Sequence, residues 1–503
     1  MRRSSPCYFA PASCLLSALI AGGAGCDARV VEAVEPIPFA DAAPANEAGV
    51  QGDSGSGGGS SDGSTPRDVA FDTAGGLDTG GAFDTGGPSD TGGSFDAGGS
   101  VDAACLPDAP TGLTVWPNCV SAANSDPWLV RNHDSLTAIR PRLLVLHFWN
   151  AWTVTQADQG ARAQIRALRE GSRYHAYAQP NAPPFLDYEI AKIVDLTDHP
   201  PPPTWTNPSS TLLPVTAAGD FDTGALFSPA FADNIKIMDP GLSRNLTLCE
   251  LFDRGLVNEV WVLEGEGGRR RPPLTLERKQ AYDAAGAPIA GQFVCVEGSG
   301  CVPEINCLHT VRLAHLDPTR GEGCDMEVRG WNLEHLRSAV PYLETNLRAF
   351  FNADFRTRFS APFDSFNEIC DKKTPATPCV SYPSPSVAAG TLPSGTSWRI
   401  SPFVQGCGTP EFPPNATARY DWQGRVQAQS RCEHYGMRDG DGGQDVPDLY
   451  NADKVAAYDN AFGRYDCGTG WQVYWRQSLP GFGNRAIDVD GKPMKNFWPF
   501  LFY

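Results

Sequence analysis

The chain has 503 residues, a formal net charge of −18 at pH 7, 41% hydrophobic and 10% aromatic residues, and 15 cysteines. That is ample apolar material for a core, and an acidic balance without a concentrated basic face excludes nucleic acid as a partner. The averages conceal two unlike parts, because Gly, Ser and Asp crowd the first hundred residues.

Residues 1–25 run from Met1-Arg2-Arg3 through an apolar stretch, 14–20, to Ala21-Gly22-Gly23-Ala24-Gly25, immediately before Cys26. Charge, apolar run and small residues in that order make an export signal, too short to span a membrane. A small-small-Cys ending is also the pattern in which the cysteine takes a diacylglycerol and becomes the new N-terminus. Buried lipid methylenes, at about 0.8 kcal/mol each, would then hold Cys26 on a membrane. Gly23 stands where Leu is usual, so ordinary cleavage, giving a secreted protein, is the alternative. The expected location is the bacterial cell envelope, extracytoplasmic and lipid-anchored, with the membrane as first partner.

From 26 to 104 apolar periodicity is absent and the segment reads as a disordered acidic linker. Residues 27–110 hold fifteen acids against Arg29 and Arg67 alone. Asp72, Asp78, Asp84, Asp90, Asp96 and Asp102 recur every six residues. A calcium-loaded solenoid is one reading of such a repeat. The familiar calcium repeat is nine residues long, which favours a solvated, self-repelling tether.

Signal removal and lipidation leave twelve cysteines: Cys105, Cys119, Cys249, Cys295, Cys301, Cys307, Cys324, Cys370, Cys379, Cys407, Cys432 and Cys467. With an even number and no CxxC pair, these read as disulfides of an exported domain. Spacing makes Cys105 with Cys119 and Cys370 with Cys379 plausible partners, but does not decide connectivity.

The globular part, 105–503, divides into an α/β core at 105–351 and a loop-rich wrap at 352–503. In the core, strands are expected at 143–148, 190–196, 257–263 and 311–316, and helices at 156–170, 246–254 and 326–351. Repeated strand-helix order predicts a mostly parallel sheet with helices on both faces. In the wrap, Trp398, Trp422, Trp471, Trp475 and Trp498 need somewhere to pack, which predicts an aromatic- and Cys-rich, loop-dominated region lying on the core.

Several short segments resemble a family in a fixed order. They are Leu256-Val257-Asn258-Glu259-Val260-Trp261-Val262, Gln292-Phe293-Val294-Cys295, Thr319-Arg320-Gly321, Phe412-Pro413-Pro414-Asn415 with Tyr420-Asp421-Trp422, and Asn496-Phe497-Trp498. The chain is similar over roughly 140–503 to a widespread group of secreted bacterial proteins with EVW, FWCN, ERG, PPN…YDW and NNWW-like motifs. That resemblance implies an order of elements and no established reaction. Where those proteins carry Gly-His-Arg on a long helix, this chain has Gly330-Trp331-Asn332, which removes an imidazole that metal or acid-base chemistry would want.

In open α/β sheets ligands sit beyond the carboxyl ends of the strands. The candidates there are His147 and Asn150, Glu264 and Glu266, and His315 and Asp317. A histidine within a strand is usually a satisfied core residue, and acids in a Gly-rich loop are usually solvated. Glu327 and Glu334, seven apart with His335 adjacent, read as helix surface charge. Asp439, Asp441 and Asp445 have the early spacing of a calcium loop, but Gln444 and Tyr450 stand where its Gly and Glu belong. Neither a nucleophile elbow, a zinc-binding HExxH, a phosphate loop nor a dinucleotide fingerprint is present, and no cofactor is assigned. Two functions follow. The first is a surface-displayed binding or interaction protein, its partner an extracellular glycan or protein. The second is an extracellular hydrolase, metal-assisted or not, with His147, Glu264, Glu266 and Asp317 as catalytic candidates converging in one cleft.

Overall fold

The computed structural model describes residues 113–118, 120–121, 125–198, 208–239, 241–265, 275–283, 288–296, 305–437, 446–462 and 466–503, which belong to one compact unit. The signal, Cys26, the linker, Cys105, Cys119, Glu266, Cys301, Asp439, Asp441 and Asp445 lie outside the described residues.

Continuous Val/Leu-rich runs form strands buried on both faces: β1 (Arg142–His147), β3 (Glu259–Leu263) and β6 (Val311–Leu316). With β2 (Glu189–Asp195), β4 (Thr275–Tyr282) and β5 (Pro288–Cys295) they build one six-stranded sheet in the order β2-β1-β3-β6-β4-β5. The first four strands are parallel and β4 and β5 antiparallel, so the fold is mixed α/β with a mostly parallel sheet. Alternation along the strands divides the core. Leu144, Leu146, Val260, Val262 and Leu313 pack with Leu248, Leu251 and Phe252 of α2 (Leu248–Asp253). On the other face, Leu143, Val145, Trp261, Leu263 and Leu316 pack with α1 (Val154–Gly171), α3 (Glu322–Ala339) and aromatic residues near the C-terminus.

Local capping sets two of these helices. Thr153 and Gln156, and Thr247 and Glu250, form reciprocal capping boxes that satisfy otherwise orphaned N–H groups. The single long helix expected at 326–351 is instead α3 followed by α4 (Pro341–Leu347). Pro341 cannot donate to the preceding turn and keeps Val340 extended (φ −120°, ψ 102°), which interrupts the helix.

The β4–β5 hairpin is absent from the sequence-based expectation because its inward side chains are charged. Glu277 and Lys279 of β4 are buried and bonded to each other, 3.1 Å. Arg312 on β6 pairs with Glu277 and with Glu259 on β3 (3.1 Å). Tyr188 and Trp261 each donate to Glu259 at 2.6 Å. Lys279 and Arg312 also donate to the carbonyls of Phe500 (2.6 Å) and Leu501 (3.1 Å), tying the last turn of the chain to the sheet. Burial pushes the Glu259 carboxyl up, but Arg312 and Arg329 outweigh it and hold the group below its usual range.

Beyond Asn352 the chain is more regular than a loop-dominated wrap. A three-stranded antiparallel sheet, β7 (Val380–Ser384), β8 (Val387–Thr391) and β9 (Ser397–Ile400), encloses a small core around Phe355, Phe366, Trp398 and Phe403. Helix α5 (Ala456–Phe462) leads towards α6 (Thr469–Ser478), all ten residues of which are buried. Trp471 and Trp475 donate their indole N–H to the carbonyls of Thr409 and Gly408, while Gln472 reaches that of Pro410. These tryptophans are core, as is Trp498.

Disulfides join Cys249 to Cys307, Cys324 to Cys467, Cys370 to Cys379 and Cys407 to Cys432, and Cys295 is disulfide-bonded too. Cys324–Cys467 clips the start of α3 to the start of α6 across 143 residues of sequence. Removing it by Cys324→Ser with Cys467→Ser should lower unfolding free energy by about 2–4 kcal/mol. A urea transition under non-reducing conditions tests this, and an unchanged midpoint would show that the clip constrains nothing.

Candidate functional site

The carboxyl edge of the parallel strands is where the sequence places its candidates, and each of those described is buried there. His147 ends β1; its Nε2 lies 3.0 Å from the Trp149 carbonyl and its Nδ1 3.8 Å from Asp195. Glu264 follows β3, with its backbone N–H on the carbonyl of Leu316. Its Oε1 accepts from Ser209 at 2.8 Å. His315 on β6 donates from Nε2 to the Glu264 carbonyl. Asp317, just past β6, accepts from the backbone N–H and hydroxyl of Thr319, and its own N–H donates to Asp325 of α3 at 3.1 Å. Asn150 accepts from the Asp198 N–H at 2.8 Å.

Strand alternation decides which of these meet. His147 lies on the face of Leu143 and Val145, whereas His315 lies on the opposite face with Val311 and Leu313. Glu264 continues the alternation of Val260 and Val262 on that second face. Glu264 and Asp317 come within electrostatic reach of each other, but His147 turns away toward Asp195. Among the described candidates, His147 therefore lies on the face opposite Glu264 and His315.

Burial sets the charge of this edge. Glu264 is fully enclosed (0% exposed). Burial, reinforced by Asp317, pushes its carboxyl up to about 8 against the opposing hydrogen bonds from Ser209 and Gly265. Asp325 is pushed to about 7, again first by burial. Both carboxyls therefore hold protons well into the neutral range. Gly265 is required beside them, since a Cβ there would meet the Trp149 ring at 2.5 Å.

No family model, curated protein or solved structure matches this chain.

A second polar cluster escapes a reading of the sequence. Glu327, expected at the helix surface, is buried, and Glu334 is pushed to about 8 by burial and by the neighbouring Glu411. Glu411 pairs with Arg419 at 2.7 Å and accepts from Tyr420 at 3.2 Å. Glu411 and Arg419 flank the Phe412-Pro413-Pro414-Asn415 segment, so that segment was the available signal, without any hint of its partner on α3. Pro410 in this loop lies against Gly330, where a Cβ would meet its ring at 2.5 Å. Among the described residues, no three His, Cys, Asp or Glu side chains are arranged to hold a metal ion.

Proposed function

We propose that this protein is a lipid-anchored binding or interaction protein of the bacterial envelope, its globular body held off the membrane by the acidic linker. The observation that carries this reading over hydrolysis is the placement of His147 on the face opposite Glu264 and His315. His147, Asn150, Glu264, His315 and Asp317 each hold at least one backbone or side-chain partner within the fold, as suits a rigid presenting body. Nine disulfide-bonded cysteines among the described residues, four complete pairs and Cys295, suit an oxidising compartment. The core positions of Trp471, Trp475 and Trp498 remove them as stacking platforms, so recognition falls to other surfaces.

Two measurements test the proposal. Cys26→Ala should release the protein from the membrane fraction and abolish lipid mass on the N-terminal peptide, while leaving export intact. An N-terminal peptide without lipid in the wild-type protein would refute the anchor. Retention of the unlipidated Cys26→Ala chain on isolated cell-envelope material should exceed that of the same chain unfolded in urea, and equal retention of both would refute a folded binding body.

A further inference from the structure

A depression of about 350 Å³ opens beside the main core, lined by Arg166, Arg169 and Glu170 of α1, Glu322 at the start of α3, and Ala461 and Phe462 at the end of α5. That volume is in the range of small-ligand sites. Two of its four charged groups have partners inside the protein. Glu170 is held by Arg173 at 2.7 Å and by Gln477 at 3.0 Å, and Arg169 pairs with Asp187 at 3.4 Å. The side chains of Arg166 and Glu322 have neither an ion pair nor a hydrogen bond among the described residues. Phe462 is half-buried, one side packed on the core.

The depression thus offers one open guanidinium, one open carboxylate and an aromatic surface, with no net charge between the open pair. A guanidinium only donates hydrogen bonds and a carboxylate only accepts them. A ligand meeting both needs adjacent groups that do each, and an apolar side for the ring. A pyranose has this pattern: hydroxyls that donate and accept around its rim, and C–H bonds across one face. We propose that the depression binds a neutral pyranose unit of an extracellular glycan. This rests on the reading of the protein as a binding body and names the site and ligand class. A cation or anion alone would satisfy one of the two open groups and face the other with like charge.

Binding of soluble cello-, chito- and laminari-oligosaccharides to the mature chain, measured by calorimetry, tests the proposal, with alginate oligosaccharide as the anionic comparison. At least one neutral series should bind. Arg166→Ala, Glu322→Ala and Phe462→Ala should each weaken that binding about tenfold, roughly 1.4 kcal/mol. Because Phe462 touches the core, its variant counts only if the thermal midpoint is retained; Arg166 is exposed and its variant decides the matter if not. Binding of alginate alone, binding of no neutral series, or neutral binding unchanged by Arg166→Ala and Glu322→Ala would overturn the proposal. Envelope retention of the unlipidated Cys26→Ala chain separates the two levels. If retention persists while the depression variants bind as wild type, this site falls and the binding reading stands; if retention fails, both fall.

Discussion

Arg312→Met should cost about 3–5 kcal/mol of unfolding free energy, the largest loss expected of any single change in the sheet. The guanidinium lies between Glu259 and Glu277, with a further bond to the carbonyl of Leu501. The Met side chain would fill much of the space and leave two buried carboxylates, Glu277 with Lys279 and Glu259 with Arg329 as the remaining nearby cations. Removing one partner of a buried ion pair is far more damaging than replacing the whole set by apolar groups, because the stranded charge keeps its desolvation penalty. The double change Arg312→Met with Glu259→Gln, which keeps the Glu277–Lys279 pair, should therefore recover part of the loss. The C-terminal residues should also become more open to carboxypeptidase in the single variant, since Leu501 loses its tie. Urea unfolding that shows a loss below about 1 kcal/mol would mean the network contributes little.

Glu264→Gln should make the protein less sensitive to alkaline pH. In the folded chain the Glu264 carboxyl titrates near 8, against 4.5 for an ordinary glutamate. Between those values the folded state retains a proton that the unfolded state has released. Stability from this group is full below pH 4.5 and falls as pH rises through 8, by about 1.4 kcal/mol per unit within the window. From pH 6 to pH 8 the wild-type protein should thus lose on the order of 2 kcal/mol through Glu264. Gln resembles the protonated acid, can still accept from Ser209, and does not titrate. The variant should match the wild type near pH 5 and exceed it near pH 8.5. Asp325, raised to about 7, keeps part of the slope in both proteins. Parallel stability profiles across this range would show that Glu264 is already ionised at neutral pH.

Both results concern residues whose type was visible in the sequence and whose situation was not. Glu264 was legible as an acid following a strand, because Val260-Trp261-Val262-Leu263 is a continuous apolar run with β-branched residues. Its enclosure depends on Trp149 and Ser209, which come from distant segments. Glu277, Lys279 and Arg312 look like solvated charges when read in order, and this hid the β4–β5 hairpin. Helix α6 was hidden for a related reason: Gln472, Arg476 and Gln477 interrupt its apolar pattern, yet all three are buried. Arg476 is accommodated by the carbonyls of Met326 and Gln472.

By itself the sequence determined what short-range chemistry can determine. Apolar runs flanked by turn residues specified three central strands, the Thr-Gln and Thr-Glu spacings specified two helix starts, and Pro341 carried the means of ending α3. The twelve downstream cysteines, with no CxxC among them, specified a disulfide-bearing body. Tertiary structure alone decided which cysteines pair, which face each histidine occupies, and which charges are buried. Those outcomes depend on groups separated by tens to hundreds of residues. A charged side chain can be enclosed only when a distant partner compensates its lost hydration, and the linear chain does not state which partner arrives.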